Sequence, residues 1–169
     1  MAYRRSVLFD HRLDEMVEIL RKQHELTAGY VYASVLERNF TVGAKEDVLI
    51  LDIYGECGLM HTLASITLPS GVSPEVCFIA YHDNYLTEDM TVKEYYEDMS
   101  LTAPSPVGWV TQYGPTTYSW VVPWRLRAQE KITVGLRNKT SSTCTVNLCI
   151  VEGFRRPYMR HVPLLRKRG

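Results

Sequence analysis

The sequence predicts a mainly β chain: an antiparallel β-sandwich with an N-terminal helix, a mid-chain insertion and a basic C-terminal arm. Three observations lead there. Residues 47–81 hold three dense β-type runs, DVLILDIYG, LMHTLASITL and EVCFIAY. Residues 117–122 and 132–150 alternate apolar and polar side chains with the period of two expected of half-buried strands. The joints between runs are rich in Gly, Pro, Asn and Ser, the residues of turns.

Composition sets the outer bounds. With 169 residues, 46% hydrophobic and 22% charged, the chain is long enough to bury one core and has ordinary globular content. A net charge of zero gives no global field toward nucleic acid or membrane. No apolar run approaches the ~18 residues of a membrane span. The start, MAYRRSVLFDHRLDEM, lacks the continuous apolar segment of a secretory leader. The four cysteines Cys57, Cys77, Cys144 and Cys149 form no C-x-x-C pair and read as buried free thiols, not metal ligands. Cys144 and Cys149, an odd number of residues apart, are expected on opposite faces of one strand. Eleven tyrosines exceed the needs of such a core, and tyrosine is favoured at interfaces.

Along the chain, 1–29 reads as an arm and a helix. Leu13, Met16, Val17 and Leu20 make one stripe, acids precede bases, and Gly29 closes the segment. Residues 30–154 form the β domain. A strand at 30–36 comes first, then a meander over 47–81 with a tight hairpin at Gly55-Glu56-Cys57-Gly58. Leu49, Leu51 and Ile53 are expected on one face of their strand, Val48 and Ile50 on the other. The β-pattern lapses in an insertion at about 85–115, where Thr91 and Glu94 have capping-box spacing. Pro123 suits an edge or a strand end. Two final runs, 132–136 and 144–150, read as a hairpin with Val146, Leu148 and Ile150 on its apolar face. The sequon at Asn138 reads as a polar turn. Residues 155–169 are a cationic arm, neither helix nor central strand.

Chemistry is sparse. His61 reads as a satisfied sheet histidine. His82-Asp83-Asn84, with Glu88 and Asp89, offers oxygens without the spacing of a calcium loop. There is no G-x-S-x-G, phosphate-binding glycine run, H-E-x-x-H or dinucleotide turn. The reading is therefore non-enzymatic, with no cofactor and no metal. A glycan-processing pair at Asp83 or Glu88 ranks last. Trp109, Tyr113, Trp120 and Trp124 are the candidates for a glycan-stacking platform, the alternative function.

Charge distribution says more. The insertion carries Glu88, Asp89, Glu94, Glu97 and Asp98 against Lys93, while the arm carries Arg155, Arg156, Arg160, Arg166, Lys167 and Arg168 without an acid. Opposite patches in a neutral chain can meet between copies. The expected interface residues are Arg155, Arg156, Tyr158, Arg160 and Leu164 in the arm, with Tyr95, Tyr96 and Trp109 in the insertion. Packaged nucleic acid is a weaker candidate for the arm than a neighbouring subunit.

The order of strand, Gly-rich turn, strand, loop and a strand ending in Asp-Asn, followed after an excursion by L-R-A-Q-E-K-I-T-V-G-L-R-N and a closing strand, resembles small virion proteins of tailed bacteriophages. Gly55, Gly58, Asp83, Asn84 and Asn138 occupy the corresponding places over about 47–154. The resemblance implies a jelly-roll-like sandwich and a structural role in the virion, as capsid decoration, head–tail connection or tail module. The partners it implies are copies of the chain and other virion proteins, with a host-surface glycan under the alternative.

Overall fold

Every link between the first four strands carries the chain from one sheet to the other. The computed structural model describes residues 30–112, 114–156 and 160–167; the helix expected within 1–29 lies outside them. The strands are β1 (Val31–Val42), β2 (Glu46–Tyr54), β3 (Cys57–Thr67), β4 (Val76–His82), β5 (Tyr85–Glu88), β6 (Trp109–Gln112), β7 (Thr117–Ala128), β8 (Lys131–Asn138), β9 (Cys144–Arg155) and β10 (His161–Lys167). Sheet A is ordered β1-β9-β3-β7-β6 and sheet B β10-β2-β8-β4-β5, with antiparallel pairing throughout. Without the edge strands β6 and β10, the order is that of two Greek keys wound into a jelly roll. The expected antiparallel sandwich is the fold found.

The expected meander is not. β2 and β3 lie in opposite sheets, as do β3 and β4, and β8 and β9, so neither the first nor the last expected hairpin exists. Alternation reveals which face of a strand is apolar. That face is equally satisfied with its sequence neighbour alongside or about 10 Å away across the core. Polar groups fasten the crossovers. Gly55, at φ 76°, donates its N–H to Glu130 O. Asn138 is buried, its amide nitrogen 2.8–3.1 Å from the carbonyls of Val42, Gly43 and Ser142, and its Oδ1 accepts from Thr140 N–H. Within the expected turn it acts as a core fastener. One hairpin that does form joins β4 to β5 through Asp83 and Asn84, both at positive φ (46° and 82°) as a two-residue turn requires.

The insertion is also more ordered than its sequence suggests, since β5 and β6 extend the two sheets within it. Between them the Thr91–Glu94 capping box closes reciprocally, Thr91 N–H to Glu94 Oε2 and Glu94 N–H to Thr91 Oγ1. One wide helical turn follows over Glu94–Asp98. Pro123 sits in mid-β7, beyond the reach of β6, whose pairs cover positions 118–121. That part of β7 is a sheet edge, where a residue without an N–H costs no ladder bond.

The inward faces of β7 and β8 are as expected: Tyr118, Trp120 and Val122, then Ile132, Val134 and Leu136. Bulges overturn two other assignments. A register shift between Leu49 and Leu51 turns Ile50 and Leu51 both into the core and sends Leu49 outward. In β9, Ser65 pairs Leu148 but Ile66 pairs Val146, so Asn147 is extra. Cys144 and Cys149 consequently both reach the core, and Leu148 and Ile150 turn outward. All four cysteines are buried and unpaired, and burial pushes the Cys57 and Cys144 thiols up to about 11.

Gly153 marks a tight place in this core. A Cβ there would lie 2.4 Å from the Gly58 carbonyl oxygen and 2.8 Å from Ile53 Cδ1 of the opposite sheet. Backbone cannot yield as a side-chain tip can. Gly153→Ala is therefore expected to cost roughly 2–3 kcal/mol, read as a lowered urea midpoint with an unchanged slope.

Candidate interaction surface

Sheet A leaves one face to solvent, and there the registers align one side chain from each strand. Leu36 (β1) stands opposite Ile150 (β9), Ile150 opposite Leu63 (β3), Leu63 opposite Val121 (β7), and Val121 opposite Trp109 (β6). None of these is buried, whereas their chain neighbours Val35, Cys149, Thr62, Ala64, Trp120 and Val110 are. Leu36 is 50% exposed. Cross-strand spacing of about 4.8 Å makes this a continuous apolar band roughly 20 Å wide.

Polar rows flank it. On one side stand Ser34, Glu152 and His61, the row ending at Pro123, with His61 Nε2 3.1 Å from Glu152 Oε2. On the other lie Arg38, Ser65, Ser119 and Thr111, interrupted by Leu148. An apolar centre with a polar rim is the anatomy of a protein interface. Sheet B differs: Leu49, Cys77 and Ile79, on the side away from the intersheet core, are all buried.

The expected interface residues fare unevenly. Trp109 is half-buried and ends the apolar band. Tyr96 is half-buried and meets Tyr118 edge-on at 6.1 Å. Tyr95 is fully buried, which corrects its expected place at an interface: its ring is core and its hydroxyl bonds Asp89. The arm is corrected too, because its described part closes sheet B as β10 against β2. Edge position accommodates Pro163, and a register break before Arg166 accommodates the rest. Arg155 Nε donates to His161 Nδ1. Arg156 pairs with Glu56 at 2.7 Å, and the Arg160 guanidinium lies 4.9 Å from the Tyr54 ring centre. Leu164 is half-buried within β10, and Tyr158 lies outside the described residues. Leu36, Leu63, Val121 and Ile150 were missed. The available signal was apolar residues on strand faces expected to be polar, and the β9 bulge hid it for Ile150.

The polar candidates are fasteners. Asp83 accepts the N–H groups of Gln129, Glu130 and Lys131 at 2.7–3.1 Å, stitching the β4–β5 turn to the β7–β8 turn, and those bonds hold its carboxyl below the usual range. Glu88 binds Arg137, which also grips Asp47 through two nitrogens at 2.8 Å, and Lys139. Trp120 and Trp124 point inward, the latter donating to Thr62 Oγ1, so the expected stacking platform is broken up. Among the described residues no cluster of three His, Cys, Asp or Glu side chains converges.

No family model and no curated protein matches the chain. Among solved structures it is similar to ACE19, the collagen binding subdomain of the Enterococcus faecalis surface protein ACE. The identity is 10% over 78% of this chain and 93% of that one, with a TM-score of 0.31. It is also similar to the catalytic unit of a thermostable GH87 alpha-1,3-glucanase from Streptomyces thermodiastaticus strain HF3-3. There the identity is 10% over 72% of this chain and 26% of the glucanase unit, with a TM-score of 0.34.

Proposed function

We propose that this chain is a non-enzymatic structural protein of a bacteriophage virion, a jelly-roll module that assembles with copies of itself and with other particle proteins. Capsid decoration and a head–tail or tail position are both compatible with it. The observation that supports the reading is the apolar band Leu36–Ile150–Leu63–Val121–Trp109 across a solvent-facing sheet. Monomers rarely leave such a patch uncovered, and jelly rolls commonly build capsids. The adhesive part is thus the sandwich itself more than the C-terminal arm, whose Arg155, Arg156 and Arg160 are engaged within the fold. Binding of a host-surface glycan is the weaker reading, because of the proposed platform only Trp109 stands on the outward face among the described residues.

Mass photometry of the full chain over a range of concentrations tests self-assembly. Wild type is expected to form oligomers, and Leu63→Lys with Val121→Lys is expected to shift the population toward monomer while melting within a few degrees of wild type. Equal oligomer populations in both proteins would remove the band from the assembly. Absence of the chain from purified particles, by mass spectrometry, would remove the virion.

A further inference from the structure

Four strands end the two sheets, and they are not equally protected. β5 and β6 are four residues each. β10 carries Pro163, which has no N–H to offer, and loses register before Arg166. These are devices that discourage edge pairing. β1 is different. It runs twelve residues, pairs with β9 without a register break from Val31 to Arg38, and bears Val31, Tyr32 and Leu36 among the exposed large apolar side chains. Its irregularity comes only at Asn39, at φ 54°.

We propose that two copies of this chain join edge to edge through β1, antiparallel about a two-fold axis normal to sheet A, with Val35 opposite the partner's Val35. The inference rests on the assembly reading above and names the partner as a second copy. Such an axis keeps every side chain on its own face of the sheet, so each residue meets one of the same parity. Charge then narrows the register, and side-chain fit favours Val35. Centring on Glu37 or Arg38 sets a charge against itself, which is destabilising directly across a strand pair. Centring on Leu36 sets the inward Glu37, which faces Cys149 on β9, against the partner's Val35. Centring on Val35 sets Glu37 against the partner's Ala33, the smallest side chain on the strand, and Leu36 against the partner's Ser34. It also sets Arg38 against the partner's Tyr32 twice over, a cation beside an aromatic ring. The apolar bands of the two copies then meet one diagonal step apart on a single ten-stranded sheet.

Sedimentation velocity of the full chain reads the outcome. Tyr32 is 72% exposed, so Tyr32→Lys is expected to melt as wild type does while weakening dimerisation about tenfold or more, by placing lysine against Arg38 at both ends. Tyr32→Lys with Arg38→Glu is expected to restore the dimer through opposite charges. Wild-type affinity in Tyr32→Lys would overturn the β1 edge while leaving assembly through the sheet face intact. No recovery in the double variant would overturn the register. A wild-type chain monomeric at every concentration would overturn both readings.

Discussion

Trp120→Ala is expected to destabilise the sandwich by about 4 kcal/mol, lowering the melting temperature by roughly 8–16 °C. Trp120 is fully buried, with Ala64 on β3 and Val110 on β6 opposite it, both also fully buried. Its ring reaches across the core to Phe78 of sheet B at 5.2 Å between centres. Small partners beside it and an aromatic one across from it are what let so large a side chain fit, and alanine would leave a cavity between them. Trp120→Phe separates volume from polarity. The indole Nε1 is buried without a hydrogen-bond partner, a group whose desolvation costs about 1–3 kcal/mol. Phenylalanine removes that cost together with part of the ring, so the net loss is expected near 1 kcal/mol. Thermal melts of the two variants check both figures. A Trp120→Phe loss as large as that of alanine would mean that the orphan N–H costs nothing.

Much of the fold is legible because alternation reports burial directly. Tyr118, Trp120 and Val122, and Ile132, Val134 and Leu136, are inward in sequence and in space. Thr91 with Glu94, and Asp83 with Asn84, announce local geometry that the chain adopts. Partner choice is not local. Gly55-Glu56 reads alike whether the next strand lies alongside or across, and only packing of the two sheets decides. Bulges are silent too, since one extra residue at Asn147 reverses the facing of Leu148 and Ile150 with no change in composition. The C-terminal strand is hidden by the prolines and cations that suit an edge. The interaction surface was the least legible part, because its five side chains come from five strands and meet only through register.

Asp89→Asn is expected to stabilise the protein above neutral pH and to flatten its dependence on pH. Tyr95 Oη lies 3.0 and 3.1 Å from the two Asp89 oxygens and 3.0 Å from the carbonyl of Val107. A phenol has one proton. If Asp89 is ionised it accepts the phenol's hydrogen bond, and the Val107 carbonyl faces an oxygen with nothing left to donate. If Asp89 is protonated, its own O–H donates to Tyr95 Oη and Tyr95 donates to Val107, so the segment leading to Gly108 is held. Burial pushes the Asp89 carboxyl up to about 7, with Tyr95 and the Met90 N–H pulling it back and Glu94 adding to the rise. Asp89 lies in an open surface pocket that Val107, Trp124 and Arg125 also line, and Cys77, Glu88 and Arg125 are other ionisable groups near it among the described residues. Because the folded pKa exceeds the unfolded 3.8, the folded state keeps a proton that the unfolded chain has released between those values. Stability is therefore full below 3.8 and lost as pH rises through 7. The full effect would be about 4 kcal/mol, and solvent at the open side of the pocket reduces it to roughly 2. Asparagine reproduces the protonated wiring at every pH, its N–H donating to Tyr95, and carries no charge to bury. Urea denaturation on either side of neutrality is expected to give a falling profile for wild type and a flat one for Asp89→Asn. Parallel profiles would place the titrating group elsewhere. Tyr95→Phe discriminates further: it removes the phenol from the chain of bonds but leaves Asp89 buried, so the pH dependence should persist and steepen, since an ionised carboxylate then loses a donor.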